Sequence, residues 1–278
     1  MSSALRAAIY QYECRDESPA ERLQRLDRML GASQGRLDLV ICPELFLSGY
    51  NVAGKIRQLA ETQGGPFAQA AAALAKKHGT AVIYGYPEEA GAAIYNAATC
   101  IDRDGRTIAH HRKLRLPNAY EKSHFATGDA YTLFELNGWI IAILVCYDVE
   151  FPEAVRACAA RGAQLVVAPT ALKKEWAFVA RSMIPTRAFE NRFFVAYANY
   201  CGREGTFEYL GESCFAGPNG RVIAGGSMEA LVTAELSLAD IATARQALTY
   251  LEDCKRFDGS PHPSRGRNPR ARAGRNPR

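Results

Sequence analysis

The chain has 278 residues, of which 48% are hydrophobic and 23% charged, a composition typical of globular proteins. No window approaches the roughly 18–20 unbroken apolar residues of a membrane span, so an integral membrane protein is not expected. Seven arginines and one aspartate lie in 256–278, so the formal charge of +5 leaves residues 1–255 at −1. This near-neutral body argues against nucleic-acid binding.

The arginines belong to a tail that repeats Gly-Arg-Asn-Pro-Arg at 266–270 and 274–278. Its proline and glycine content predicts a disordered tail over 256–278 behind a single domain over 1–255. A nucleic-acid or membrane role of the tail is the alternative to a solvated end. The first six residues have no basic region leading into an apolar one, so secretion is not expected, and the eight cysteines show no paired CxxC spacing. We therefore expect reduced thiols and a cytoplasmic protein.

Apolar runs and turn residues predict alternating strands and helices through the first half of the chain. Ser18-Pro19 opens a first helix, and Gly79 ends an alanine-rich one. A hairpin turn is expected at 102–105, and a polar loop at 111–122 leads into a helix-poor segment up to Gly138. The predicted strands are 5–10, 37–42, 81–86, 93–101 and 106–111, and the second helix is 68–78.

The second half continues the alternation. Its predicted strands are 140–145, 163–168, 193–199 and 231–236, with a hairpin of 213–215 and 221–224. Its predicted helices are 151–161, 176–191 and 239–251. Because buried strands alternate with helices but also pair through hairpins, we expect mixed sheets in a layered α/β architecture.

Cys146 ends the apolar run 140–145, which predicts a strand buried on both faces. A thiol just before a helix start lies near free N–H groups, which lower its pKa and favour the reactive thiolate. The alternative is a small buried hydrophobe, the role of most free cysteines.

Two further polar residues, Glu44 and Lys113, also follow predicted strands. A cysteine nucleophile needs a base, and a carboxylate in a dry pocket can take its proton. The oxyanion formed by attack on a carbonyl can be stabilised by an ammonium group. Taken singly, a loop glutamate or lysine is more often a solvated charge.

The surroundings of these residues resemble the three motifs of the nitrilase superfamily of carbon–nitrogen hydrolases. The segments are Cys42-Pro43-Glu44-Leu45, His111-Arg112-Lys113-Leu114-Arg115-Leu116-Pro117 and Val145-Cys146-Tyr147-Asp148-Val149-Glu150-Phe151-Pro152-Glu153. The resemblance extends from about residue 5 to 236 with the motifs in family order. It implies an α/β four-layer α-β-β-α sandwich that pairs into a homodimer or higher homo-oligomer.

The resemblance also implies roles for individual residues. Glu44 would be the general base and acid, Lys113 the oxyanion stabiliser and Cys146 the nucleophile. The backbone N–H of Tyr147 would complete the oxyanion hole, and Glu121 would position substrate or water, although an ordinary loop charge is the alternative. No cofactor and no metal site is expected, since the five histidines form no ligand-like cluster.

The sequence Cys146-Tyr147-Asp148 departs from the Cys-Trp-Glu usual in true nitrilases, and is similar to small bacterial amidases. We therefore expect hydrolysis of a small carboxamide to an acid and ammonia through a cysteine thioester. An N-carbamoyl amidohydrolase is the alternative, and a nitrilase is the third candidate. Tyr50, Tyr120 and Trp176 are candidates for substrate binding, with core packing equally consistent for each.

Two hypotheses of other classes remain. A binding protein on this fold would be expected to have lost one of Glu44, Lys113 and Cys146, and all three are present. A redox-sensing thiol would need a resolving cysteine, and none lies near Cys146 in the sequence.

Overall fold

The computed structural model of the protein describes residues 4–254, so the predicted tail 256–278 lies outside the described residues. The strands are β1 Ala4–Gln11, β2 Glu13–Cys14, β3 Leu39–Ile41, β4 Ala81–Ala90, β5 Ala93–Ile101, β6 Thr107–Arg112, β7 Thr132–Leu136, β8 Trp139–Ile143, β9 Leu165–Pro169, β10 Phe194–Ala198, β11 Cys201–Glu204, β12 Phe207–Glu208, β13 Cys214–Ala216, β14 Val222–Ala224 and β15 Ala230–Ser237. The α-helices are α1 Pro19–Gly31, α2 Ile56–Leu59, α3 Pro66–His78, α4 Ala119–His124, α5 Pro152–Ala160, α6 Ile184–Asn191, α7 Leu238–Ala247 and α8 Tyr250–Asp253.

Two six-stranded mixed sheets form the centre of the molecule. The first has the order β15-β1-β3-β4-β5-β6, and the second has the order β14-β13-β10-β9-β8-β7. In each sheet three central strands run parallel, and antiparallel strands flank them. The predicted mixed sheet is confirmed by this arrangement.

The sheets pack face to face because alternate strand residues point to opposite sides. In β1, Leu5 and Ile9 face the second sheet, where they join Ile141 and Val167 in one buried cluster. The other face of the first sheet packs against α1 and α3. The outer face of the second sheet is covered by α5 and α6. The result is the expected four-layer α-β-β-α sandwich.

Local sequence signals explain where several helices begin and end. Ser18 and Glu21 form a capping box in front of α1, with Pro19 in the first turn. Gly79 ends α3 with a φ of 61°, the left-handed conformation that glycine adopts without cost. Both boundaries agree with the sequence prediction.

The predicted polar loop 111–122 ends in a helix, because α4 begins at Ala119, whereas the helix-poor segment after it contains β7. The predicted helix 176–191 is divided. It begins with a 3-10 turn at Lys174–Trp176 and a π-helical stretch at Val179–Met183, and only then continues as α6. The expectation of a strand buried on both faces was wrong at Ile140, which is 38% exposed because it lies beside Gly162, where α5 has already ended. Within residues 4–254, no helix is long and apolar enough to cross a membrane.

Candidate active site

Three predicted site residues follow strands that end at the same edge of the sandwich. Glu44 lies in the turn after β3, Lys113 directly follows β6, and Cys146 comes shortly after β8. Glu44 and Lys113 are fully buried, and Cys146 is partly exposed. The two sheets thus supply one side of the site each: Glu44 and Lys113 come from the first, and Cys146 from the second.

Lys113 is the centre of a buried charge cluster. Its Nζ donates to Glu44 Oε1 at 2.6 Å and to Glu121 Oε1 at 2.7 Å. An ammonium group has three donors, so one N–H of Lys113 is left for a further acceptor. Two carboxylates face one ammonium group, which gives the cluster a net negative charge when all three are ionised. The structure therefore brings Glu121, expected in a loop, into the same cluster from α4.

Aromatic residues surround Glu121. Tyr50 is 5% exposed and donates its hydroxyl to Glu121 Oε1 at 2.6 Å. The Tyr120 hydroxyl donates to the backbone carbonyl of Tyr50 at 2.9 Å, and the two rings lie 5.9 Å apart. Tyr50 and Tyr120 are thus at the site, with Tyr50 in direct contact with a buried carboxylate.

A close backbone approach fixes the turn that carries Glu44. A side chain at Gly85 in β4 would place its Cβ 2.4 Å from the backbone nitrogen of Leu45, so only glycine fits. Leu45 itself has a φ of 52°, an uncommon conformation for a non-glycine residue. The Tyr200 hydroxyl holds the Glu44 carbonyl at 2.7 Å. These contacts set the direction in which the Glu44 side chain enters the site.

Asp148, buried to 1% exposure, connects the segments of Lys113 and Cys146. Its Oδ2 accepts the backbone N–H groups of Leu114 at 3.1 Å and Val145 at 3.2 Å, and its Oδ1 accepts that of Arg115 at 2.8 Å. Leu114 follows Lys113 and Val145 precedes Cys146. One carboxylate therefore holds the two segments in register, and the N–H groups satisfy its charge.

Cys146 adopts a φ of 47° at the start of the 3-10 helix Cys146–Glu150. The Thr170 hydroxyl, after β9, lies beside its thiol. Burial raises the thiol pKa well above its ordinary value, the negative charge of Glu44 adds to this, and Lys113 opposes it. The expectation that a helix start lowers this pKa was wrong, because desolvation outweighs the N–H groups of a short helix. The resting thiol is therefore protonated and needs a base.

Glu44 has the protonation behaviour of such a base. Burial raises its pKa to about 7, with Lys113 lowering it and Glu121 raising it. Burial alone lowers the pKa of Lys113, but the carboxylates of Glu44 and Glu121 outweigh burial and raise it well above its ordinary value. Lys113 is thus a permanent cation, and Glu44 exchanges a proton near neutral pH.

The other two predicted residues, Tyr147 and Trp176, lie outside the charge cluster of Lys113, Glu44 and Glu121. Tyr147 follows Cys146, and its ring packs edge-on against Phe151 at 4.8 Å. Its backbone N–H lies in the first turn of the 3-10 helix, where N–H groups have no partner within the helix. Trp176 is 58% exposed on a 3-10 turn and takes no part in the hydrogen bonds of the cluster. Its substrate-binding role stays a prediction.

Sequence reasoning missed three residues that hold the site together: Asn96, Asp148 and Tyr200. The amide nitrogen of Asn96 donates to Glu44 Oε1 at 2.7 Å. A signal was present, because Asn96 is a polar residue in the middle of the apolar run 93–101. A buried polar side chain needs a partner, although the sequence does not name it.

Among residues 4–254, no group of His, Cys, Asp or Glu side chains is placed to hold a metal ion.

Comparison with known proteins agrees with this geometry. The family model for carbon–nitrogen hydrolases matches residues 6–246. The chain belongs to the carbon–nitrogen hydrolase family. The predicted resemblance and the prediction of an enzyme that acts on carbon–nitrogen bonds are thereby confirmed.

Several relatives of this carbon–nitrogen hydrolase are similar over most of their length. The hydrolase in pqqF 5'region of Pseudomonas protegens is 43% identical over 90% of this chain and 88% of its own. The 2-oxoglutaramate amidase of Bacillus subtilis is 28% identical over 88% of this chain and 96% of its own. A cysteine mutant of the Nesterenkonia sp. AN1 amidase, solved with butyramide, matches with a TM-score of 0.80 and 34% identity, over 90% of this chain and 93% of that one.

Proposed function

We propose that this carbon–nitrogen hydrolase cleaves a small primary carboxamide to a carboxylic acid and ammonia, with Cys146 as nucleophile. The observation that carries the proposal is the placement of Cys146 at the same edge of the sandwich as the fully buried pair Glu44 and Lys113, where burial raises the pKa of Glu44 to about 7. A carboxylate tuned to neutral pH can take the thiol proton and later return it to a leaving group. The amidase relatives, including an enzyme solved with butyramide, support this substrate class.

In the acylation step, the thiol proton passes to Glu44 while sulfur bonds to the amide carbon, and the carbonyl electrons move to oxygen. The free N–H of Lys113 and the backbone N–H of Tyr147 stabilise that oxyanion. As the carbon–nitrogen bond breaks, Glu44 donates its proton to the nitrogen, and ammonia leaves a thioester on Cys146. Covalent addition of an acetamide group to the active-site cysteine of the Nesterenkonia amidase supports a nucleophilic cysteine.

In the deacylation step, Glu44 takes a proton from water, which attacks the thioester carbon. The tetrahedral intermediate collapses, the carbon–sulfur bond breaks, and Glu44 returns the proton to sulfur. The acid leaves, and the site is restored without any redox change. Lys113 remains a cation throughout, held by Glu44 and Glu121.

Glu121 favours an amide over a nitrile. Its Oε1 accepts hydrogen bonds from Lys113 and Tyr50, whereas its buried Oε2 has no partner among the described residues. A buried acceptor without a donor is costly, and a primary amide supplies N–H donors that a nitrile lacks. We therefore assign Glu121 to binding the substrate nitrogen, with Tyr50 and Tyr120 forming the adjacent wall.

Ammonia release from butyramide, butyronitrile and a ureido acid, measured with the full-length protein, tests the proposal. We expect release from the amide, none with Cys146→Ala, and normal release with Cys254→Ala, since Cys254 is also a partly buried free cysteine. Release from the nitrile or the ureido acid alone would assign another branch of the family. Activity retained by Cys146→Ala would rule out the proposed nucleophile.

Mass spectrometry of an acid-quenched reaction tests the thioester. We expect a butyryl adduct on the peptide that contains Cys146 and on no other cysteine peptide. If rapid-quench samples taken within one turnover carry no adduct while ammonia is released, covalent catalysis is wrong.

We also propose a catalytic domain over 1–255 with a tail over 256–278, a homodimer or higher homo-oligomer, and a cytoplasmic location. All eight cysteines lie in the described range and are free, which fits a reducing compartment. Light scattering on the full chain measures the assembly state, and a monomer at micromolar concentration would contradict the oligomer. Limited proteolysis that leaves 256–278 intact would contradict a disordered tail.

A further inference from the structure

Asn96 contacts two of the three charged residues of the site, Glu44 and Lys113, from the first sheet. It lies in the middle of β5 and is 1% exposed. Its side-chain nitrogen donates to Glu44 Oε1 at 2.7 Å, and its backbone carbonyl accepts the N–H of Lys113 at 2.8 Å. A strand residue thus fixes the position of Lys113 and the orientation of the Glu44 carboxylate together.

The two oxygens of Glu44 differ because of this contact. Oε1 accepts from both Lys113 and Asn96, which occupies the two lone pairs of a carboxylate oxygen. Oε2 is buried and has no partner among the described residues. A proton that arrives at Oε2 leaves both hydrogen bonds intact, whereas a proton at Oε1 would have to break one of them.

The rest of the Asn96 side chain argues against a purely structural role. Its Oδ1 is buried and accepts no hydrogen bond within residues 4–254. Buried asparagines that serve packing normally satisfy the oxygen as well as the nitrogen, because an unsatisfied buried acceptor is costly. The protein tolerates this cost at a residue whose side chain has Glu44 as its one hydrogen-bond partner among the described residues.

We propose that Asn96 is a positioning residue that makes Glu44 Oε2 the single proton-transfer atom of the site. The inference rests on the proposed role of Glu44 as base. The amide of Asn96 locks Oε1 onto Lys113 and thereby directs Oε2 toward the thiol of Cys146. Without that donor, Oε1 regains a free lone pair, the carboxyl group can rotate about its last bond, and either oxygen competes for the proton.

The same contact sets the acidity of the base. A donor to a carboxylate stabilises its ionised form, so Asn96 lowers the pKa that burial has raised. Asn96→Ala is therefore expected to raise the pKa of Glu44. In a rate profile, the acid limb should move upward by about one pH unit, since a hydrogen bond to a charged group is comparable to one unit of pKa.

The test measures the alkylation of Cys146 by iodoacetamide, followed by peptide mass spectrometry between pH 5 and 9, alongside amide hydrolysis. Alkylation needs the same proton transfer but no cleavage of a carbon–nitrogen bond, so it remains informative if the enzyme hydrolyses none of the amides tried. For Asn96→Ala we expect about tenfold slower alkylation at pH 6 and near-normal alkylation at pH 9. Asn96→Ser, whose hydroxyl is too short to reach the carboxylate, is the second variant if the alanine variant misfolds.

Two controls separate positioning from packing. Thr99→Ala removes another buried polar group of β5, which bonds His110 rather than Glu44, and should leave the profile unchanged. In a Glu44→Gln background, Asn96→Ala should change nothing, because the group that it orients no longer titrates. An unshifted acid limb in the folded Asn96 variants, an equal shift in Thr99→Ala, or a shift that persists with Glu44→Gln would overturn the inference.

Discussion

The carboxylate of Asp148 offers the sharpest test of how the site is held together. Its three acceptor contacts, to the N–H groups of Leu114, Arg115 and Val145, join the segments on either side of the site. Asp148→Asn keeps the size of the side chain but replaces one oxygen by a donor. In the orientation that keeps more hydrogen bonds, the amide oxygen still accepts the N–H groups of Leu114 and Val145, and the NH2 group faces the N–H of Arg115.

The cost follows from this geometry. At least one hydrogen bond to a charged acceptor is lost, which is worth about 1.5–3 kcal/mol, so the free energy of unfolding should fall by about that amount. A displacement of the Lys113 segment by about 1 Å relative to Cys146 should lower kcat/KM by about 100-fold. The stability loss and the activity loss have one cause and should appear together.

Urea denaturation and steady-state hydrolysis of butyramide measure the two effects. The matched control is Glu61→Gln, which also replaces a carboxylate that accepts backbone N–H groups, from Phe67 at 2.7 Å and Ala68 at 3.3 Å in α3. Glu61→Gln should lose stability and keep kcat/KM. If Asp148→Asn loses no more activity than this control at equal fraction folded, Asp148 does not position the site, and the reasoning is refuted.

Four further predictions follow from the charge cluster. Since burial raises the pKa of Glu44 to about 7 and the base must be ionised, kcat/KM should fall about tenfold per pH unit below pH 7, and an acid limb near pH 4.5 would contradict that role. Lys113→Met should lower kcat by about 10²–10³-fold through loss of an oxyanion donor, and a change confined to KM would argue otherwise. Tyr50→Phe removes the donor to Glu121 and should lower kcat/KM about tenfold while circular dichroism stays unchanged; wild-type kinetics would refute the contact's role. Glu44→Gln should raise the melting temperature at pH 8 but not at pH 5. Because the pKa of Glu44 is raised in the folded state, its ionised carboxylate destabilises the fold at pH 8, and this destabilisation is lost as the pH falls. A lower melting temperature at pH 8 would contradict this sign.

The sequence by itself determined the elements that local rules control. Apolar runs and turn residues located the central strands, and Ser18 with Pro19 marked the start of α1. Polar residues at strand ends, in ordered motifs, located Glu44, Lys113 and Cys146. These features depend on side-chain periodicity and capping, which neighbouring residues specify.

Only the tertiary structure decided which distant polar groups meet. Glu121 and Tyr50 are 71 positions apart, and Asn96 and Glu44 are 52 apart, so no local pattern pairs them. The thiol pKa of Cys146 followed the same rule: its neighbours in sequence suggested a lower value, and burial between two sheets raised it. Desolvation and long-range charge depend on which layers close over a residue, and the folded chain alone specifies those layers.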